Sequence, residues 1–170
     1  MWNKRGKILV TYVTKWGSTC EVAETIGKIL REKGFDVDVF PVKGVVDVTH
    51  YSAVVIGSGI RVGKLYSEVV HFVKKNKEQL KKIPVAYFID SFKAAMPDAK
   101  SQAEAEGYLG PLRKLVAPVD AGIFAGKVDP RKIPISSRLV LKVQKIKEGD
   151  YRRWSAIERW AAELPKKLRK

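Results

Sequence analysis

The sequence predicts an α/β protein built around one open, doubly wound parallel sheet of five strands. Three observations carry that expectation. Short apolar runs alternate along the chain with stretches of helical periodicity. The 170 residues suffice for one well-cored domain and not comfortably for two. The first apolar run breaks off into a small, hydroxyl-rich loop just ahead of a helix.

The run KILVTYV (7–13) predicts the first strand. TCEVAETIGKILREKG (19–34) puts Val22, Ile26, Ile29 and Leu30 at helical spacing and ends on Gly34, a good helix terminator. DVDVFPV (36–42) alternates apolar and polar residues, as an edge strand does. SAVVIGSG (52–59) reads as a buried strand, SEVVHFVKKNKEQLKK (67–82) as an amphipathic helix and IPVAYFIDS (83–91) as the fourth strand. Residues 98–116 read as mostly helical despite two glycines, and PVDAGIFAG (118–126) supplies the fifth strand. The last segment, 150–170, carries Trp154, Ile157, Trp160, Ala161 and Leu164 on one face and predicts a docked helix.

Residues 127–149 break the alternation and form an insert before that last helix. Within it, ISSRLVLKVQKIK (135–147) puts Leu139, Val140, Val143 and Ile146 on one helical stripe, with Arg138, Lys142, Lys145 and Lys147 elsewhere. Such a helix docks on its own domain, the commoner outcome, or lies on an anionic membrane surface. Alternating strands and helices imply right-handed crossovers and a sheet covered on both faces. Ligands of such sheets bind beyond the carboxyl ends of the strands, so the informative residues follow each strand.

Composition narrows the chemistry. Cys20 is the only cysteine, which excludes intrachain disulfides and cysteine-cluster metal sites, and His50 and His71 are not spaced as a ligand pair. No metal is expected. No run approaches the ~20 apolar residues of a membrane span. The charged start MWNKRGKILV leads straight into a strand without a small-residue cleavage site, so a cytoplasmic protein is expected. The formal charge of +15 attracts something negative: nucleic acid, anionic lipid or an acidic small molecule. Scarce Asn and Gln beside abundant Lys is a balance seen in heat-adapted proteins.

The loop at 14–19 joins a strand to a helix, where free backbone N–H groups and the helix dipole favour an anion. Thr14, Ser18 and Thr19 offer hydroxyls, Gly17 permits close approach, and no acidic residue intervenes. A Walker-type glycine span ending in Lys-Ser or Lys-Thr is absent. The alternative is an ordinary turn capped by Thr or Ser. A rival site is VVIGSGIRVGKLYSE (54–68), where Gly57, Gly59 and Gly63 approximate a dinucleotide fingerprint. Its third glycine comes one place late, with Val62 in the expected position, and the unit is not the first strand–helix turn.

YVTKWGSTCEVAETI, with an aromatic followed by Thr14, Gly17, Thr19, Ala23 and Ile26, resembles the phosphate loop of the flavodoxin family. Thr11 departs from that pattern, which usually has an apolar residue there. The resemblance implies a flavodoxin-like fold with strand order 2-1-3-4-5 and flavin mononucleotide (FMN) as cofactor. Thr14, Lys15, Trp16, Gly17, Ser18 and Thr19 would then surround the phosphate. Ser58, Gly59, Ile60 and Arg61 on one loop, and Asp90, Ser91 and Phe92 on another, would flank the flavin ring. Phe92 either stacks on the ring or belongs to the core. No Trp stands in the second loop, so the usual aromatic sandwich gives way to an open ring face suited to a bulky substrate. Cys20 reads as packing.

The fuller stretch VVIGSGIRVGKLYSEVVHFVKKN, the basic insert and EGDYRRWSAIERWAAEL are similar to the flavodoxin-like, quinone-dependent protoporphyrinogen dehydrogenases. That resemblance implies an FMN-dependent oxidoreductase passing electrons from a porphyrinogen to a quinone or another acceptor. Arg61 is the candidate catalytic residue, its guanidinium stabilising reduced flavin or gripping a substrate carboxylate, unless it merely faces solvent. No general base is evident. The alternatives are a non-catalytic electron carrier docking on an acidic redox partner and an FMN-dependent quinone or NAD(P)H reductase. Nucleic acid is not expected, since no RNA-binding aromatic signature is present and the cations are spread along the chain.

Overall fold

The computed structural model describes residues 6–143 and 145–169, and every side chain among them but that of Val140. The charged start at residues 1–5, and Val140 of the insert stripe, therefore lie outside what is described. The chain runs β1 (Lys7–Val13), α1 (Ser18–Glu32), β2 (Asp36–Pro41), β3 (Tyr51–Arg61) and the two-residue β4 (Lys64–Leu65). It continues through α2 (Ser67–Lys75), α3 (Lys77–Leu80), β5 (Val85–Ser91), α4 (Ala99–Gly107), α5 (Gly110–Leu115) and β6 (Asp120–Ala125). The insert contributes β7 (Lys127–Val128), α6 (Ile135–Val143) and β8 (Gly149–Asp150), and α7 (Trp154–Lys167) closes the fold.

The long strands pair in the order β2-β1-β3-β5-β6, all parallel, with β4 folded back antiparallel on the end of β3. Counted over the five long strands alone, this is the expected 2-1-3-4-5 order. Strand alternation divides the core into two layers. Ile8, Val10, Ala53, Val55, Ala86 and Phe88 face α1 and α7, where Val22, Ile26, Ile157 and Leu164 cover them. Leu9, Val54, Ile56, Val85, Tyr87 and Ile89 face the other way, under Val69, Val73, Leu80, Leu109 and Leu112. Gly57 belongs to this packing: a Cβ there would collide with the Phe88 ring.

Three expected elements come out differently, each for a local reason. The helix at 67–82 breaks at Asn76, whose side chain donates to the Phe72 carbonyl while its own carbonyl accepts from Gln79 and Leu80 to start α3. The helical stretch at 98–116 splits into α4 and α5, because Pro111 near the start of α5 has no N–H to give to the preceding turn. β3 runs on through Arg61 and returns in a hairpin, Ile60 opposite Leu65 and Arg61 opposite Lys64. Its turn residues, Val62 and Gly63, both have positive φ (48° and 71°), as primed hairpin turns require. Val62 is the unusual one, since a β-branched side chain disfavours that region.

Thr11 sits fully buried on β1, and its hydroxyl is the buried side-chain polar atom without a hydrogen-bond partner among the described residues. An orphaned hydroxyl loses its hydration on burial and regains nothing. Thr11→Val is expected to stabilise the protein by about 1 kcal/mol. In thermal unfolding that would raise the midpoint by roughly 2–4 °C, and an unchanged or lower midpoint would contradict the assignment.

Candidate functional site

The loop between β1 and α1 is a tight turn whose geometry is set by two residues. Thr14 Oγ1 accepts the Gly17 N–H at 3.0 Å, and Gly17 takes the left-handed conformation (φ 88°) that glycine tolerates best. The first hydrogen bond of the helix runs from the Glu21 N–H to the Gly17 carbonyl. The amides of Ser18, Thr19 and Cys20 in the first turn thus lack intrahelical acceptors, and no side chain caps the helix. With the positive end of the helix dipole behind them, these N–H groups form a cradle for an anion.

The two hydroxyls at the start of the helix are engaged elsewhere. Ser18 Oγ donates to Asp90 Oδ2 at 2.7 Å, and Thr19 Oγ1 donates to Asp90 Oδ1 at 2.5 Å. Asp90 lies near the end of β5 and is buried. Burial pushes its carboxyl above the usual carboxylate range, against the opposing pull of Thr19, Ser18 and the charge of Arg152. The loop itself has no acidic residue, but the fold brings one to it from across the sheet. That approach needs bare backbone between them. A Cβ on Gly59, the β3 residue paired with Asp90, would lie 3.2 Å from Thr19 Oγ1 and 3.3 Å from the Tyr66 ring.

The insert supplies a cation to the same place. Lys132 Nζ lies 3.6 Å from where a Gly17 Cβ would be. Trp16 and Ser18 share a small cavity of about 10 Å³ with Glu21, Lys127, Asp129, Lys132 and Ile133. Arg152, after the insert, ties it to α1: its guanidinium is buried, bonds Glu21 at 2.6 Å and grips Asp150 at 2.7 and 2.8 Å. The same group lies 4.6 Å from the Trp154 ring, a cation–π contact.

The remaining candidates lie near the ends of two neighbouring strands, β3 and β5. Ser58 is buried in β3, where its hydroxyl donates to the Gly59 carbonyl and accepts the Tyr66 N–H. Ile60 and Arg61 form the hairpin arm, so this segment is strand and turn rather than the open loop expected. Arg61 is exposed, and its charge opposes the upward push that burial gives the Tyr66 phenol. Lys15 reaches the other way, its ammonium 5.6 Å from the Tyr66 ring centroid. At the end of β5, the buried Ser91 hydroxyl accepts the Ala94 N–H, and half-buried Phe92 meets Tyr151 edge-on at 5.6 Å. Phe92 is thus not fully buried, and one of its ring contacts is the edge of Tyr151.

Thr14, Trp16, Gly17, Ser18, Thr19, Gly59 and Asp90 come together, while Arg61 ends β3 and Phe92 follows the neighbouring β5. The dinucleotide alternative does not form: Gly57 and Gly59 lie within β3, Gly63 lies in the hairpin turn, and α2 starts only at Ser67. Sequence reading missed Lys132, Tyr66, Tyr151 and Arg152. The one signal for three of them was the break in alternation at 127–149, since they lie in or just after it.

The family model for the flavodoxin domain matches residues 9–153, and the chain belongs to that family. It is 32% identical over 97 residues to protoporphyrinogen IX dehydrogenase (quinone) of Escherichia coli K12, an alignment covering 56% of this chain and 54% of the relative. The chain thus spans about half the length of that relative. The Leishmania major protein of the same name is 26% identical over 175 residues, covering 93% of this chain and 74% of its own. Among solved structures, a flavodoxin from the Archaea superposes with a TM-score of 0.57 at 17% identity, covering 96% of this chain and 99% of that one. A Fusobacterium nucleatum flavodoxin bound to flavin mononucleotide gives 0.51 at 20% identity, covering 69% and 68%. At these identities the structural likeness speaks for the fold.

A carboxyl group whose pKa is raised by folding costs stability once the pH climbs above its unfolded value. Well below the ordinary aspartate pKa of about 4, Asp90 is neutral in both folded and unfolded chains, so the cost vanishes there. Asp90→Asn keeps an acceptor for one hydroxyl and a donor for the other while removing the charge. Its melting temperature is expected to gain on the wild type as the pH rises from about 4 to 7. A difference between the two that stays flat across that range would show that Asp90 is not held above its ordinary pKa.

Proposed function

We propose that this flavodoxin-domain protein is an FMN-dependent oxidoreductase of the protoporphyrinogen dehydrogenase type, taking electrons from a porphyrinogen and delivering them to a quinone. The observation that carries the cofactor is the cradle at 17–20: uncapped amides at a helix start, a left-handed glycine, and the Lys132 ammonium above it. Its donors suit a phosphate monoester, which accepts hydrogen bonds and carries about two negative charges. Bound FMN would supply the electron-accepting chemistry, and the chain's part is to bind and orient it.

The residues divide that work. Each hydroxyl of Ser18 and Thr19 has one proton, and both protons are given to Asp90. The amides and Lys132 would therefore carry most of the phosphate's charge, while Asp90 fixes the orientation of the helix start. Gly59 would leave room for a cofactor close to the backbone of β3.

The porphyrinogen reading draws on the two dehydrogenases named above and on the hairpin. Arg61 and Lys64 stand directly opposite each other, both exposed, and neither has an acidic partner among the described residues. Like charges facing across strands are unfavourable, so a ligand that brings carboxylates would relieve them. A porphyrinogen brings carboxylates. The hairpin lies at the carboxyl end of β3, the same end of the sheet as the cradle.

Titration with FMN and with riboflavin tests the cofactor. FMN is expected to bind with quenched flavin fluorescence, and Lys132→Ala to weaken it about five- to tenfold, the worth of about 1 kcal/mol, while leaving riboflavin unaffected. Thr14→Ala, which frees the Gly17 amide from its turn, should weaken FMN as well. A colourless protein that leaves FMN unbound would overturn the reading.

Turnover tests the reaction. The loaded protein should oxidise protoporphyrinogen with a quinone as acceptor, and Arg61→Ala should raise the KM for porphyrinogen about tenfold with FMN affinity unchanged. An FMN-loaded protein that passes electrons to redox proteins but never oxidises porphyrinogen would instead be an electron carrier.

A further inference from the structure

Ser18 stands between two places of opposite electrical demand. Its hydroxyl donates to Asp90 Oδ2 at 2.7 Å. The same residue lines the small cavity that Lys132 also lines, and its amide belongs to the anion cradle. Thr19, the next residue, is almost fully buried and bonded to Asp90 Oδ1, so its hydroxyl has no route outward. Ser18 is only half-buried. A serine hydroxyl carries one proton and two lone pairs, and rotation about its C–O bond exchanges them between neighbours.

While Asp90 is charged, that hydroxyl has one choice. A carboxylate only accepts, so Ser18 and Thr19 both give it their protons. A protonated carboxyl keeps acceptor capacity and gains one donor. Protonated on Oδ2, Asp90 would still accept from Thr19 through Oδ1 and would donate to Ser18 Oγ. Ser18 would then have its own proton free for an anion in the cradle. The exchange balances: one proton enters from solvent at Asp90, one hydrogen bond reverses, and the charge of the site rises by one as the anion arrives.

We propose that phosphate binding at the cradle takes up one proton at Asp90, and that Ser18 relays this change as a hydrogen bond to the phosphate. The inference rests on the FMN reading above and adds to it a proton that binds with the cofactor.

The surroundings of Asp90 favour the exchange. Backbone lies close to both oxygens: a Cβ on Gly59 would stand 3.9 Å from Oδ1, and one on Gly126 3.5 Å from Oδ2. Just after the hairpin, burial pushes the Tyr66 phenol up, so it stays uncharged. The cation whose charge opposes protonation of Asp90 is Arg152, and its guanidinium is already bonded to Asp150 and Glu21. The two carboxylates that share the cavity with Ser18 also have partners, Arg152 for Glu21 and Arg131 for Asp129. A phosphate dianion beside a buried carboxylate is repelled strongly where the dielectric is low, and neutralising the carboxylate removes that repulsion. Burial already favours the neutral form.

Titration calorimetry with FMN and with riboflavin, in buffers of different ionisation enthalpy, counts the protons. It is done at about pH 7.5, where a phosphate monoester (second pKa about 6) is mostly dianionic. FMN is expected to bring in a substantial fraction of one proton, and riboflavin, which lacks the phosphate, none. Asp90→Asn puts an amide in place of the protonated acid, a donor toward Ser18 and an acceptor toward Thr19. That variant should bind FMN without proton uptake. The ratio of wild-type to Asp90→Asn dissociation constants should therefore rise about tenfold or more between about pH 5 and 8, since one linked proton is worth up to about tenfold per pH unit. The phosphate's own titration cancels in that ratio. In the Asp90→Asn background, Ser18→Ala should weaken FMN about fivefold and leave riboflavin unaffected. The inference is overturned if FMN binds with no more proton uptake than riboflavin, or if the ratio stays flat. It is overturned too if Ser18→Ala leaves the FMN affinity of Asp90→Asn unchanged, since Asp90 would then act without a relay. A protein that binds neither flavin would overturn the FMN reading and this inference together, whereas FMN binding without proton uptake overturns this inference alone.

Discussion

Much of this molecule's working end is organised around a single buried carboxylate. Asp90 is buried near the end of a central strand, where an unsatisfied charge would be costly. It is satisfied by the first two side chains of α1, which arrive over β3 from a strand two places away in the sheet. The arrangement demands a side chain with no bulk at Gly59, beneath the contact, and leaves Gly126 close on the other side of the carboxylate. Once Ser18 and Thr19 are fixed in this way, the position and direction of the helix start are fixed as well. The amides that remain free then point to one volume, and the anion cradle is a by-product of how the carboxylate is satisfied.

A second polar centre does for the insert what Asp90 does for the helix. Arg152 divides its guanidinium between Asp150, at the end of the insert, and Glu21, in the first turn of α1, with Trp154 beneath it. Removing either partner would leave a buried cation partly unpaired, a more serious loss than that of an exposed ion pair. The result is that an excursion of some twenty residues is registered against the loop it overhangs, so that Lys132 has a defined place to reach.

The strands and their order were legible because they rest on local periodicity. Alternation in Ile8–Leu9–Val10 and in Val85–Tyr87–Ile89 reports which side of the sheet each residue faces, whatever lies there. Helix breaks were written in the sequence too, at Asn76 and Pro111, but their effect depends on which carbonyl a side chain reaches or which N–H is missing. The site was legible where a motif is contiguous, as in residues 14–19. It was not legible where chemistry depends on distant pairs. Ser18 and Asp90 are 72 positions apart, and no pattern near either residue announces the other. The hairpin at Arg61 was obscured because glycines at 57, 59 and 63 invite a reading as a loop, whereas two of them serve packing within a strand.

The pairing at the base of the insert has one more consequence. Lys127 lies opposite Asp150 and Val128 opposite Gly149, so the excursion leaves and re-enters the fold at neighbouring points. A segment whose ends already touch can lengthen, shorten or vanish with little change in the entropy of closing the chain, because that entropy grows only slowly with loop length. The five-stranded core is thus insulated from whatever happens beyond the hairpin. Evolution, or an engineer, can rewrite the surface carried there as a cassette, tuning what the protein meets without having to refold it.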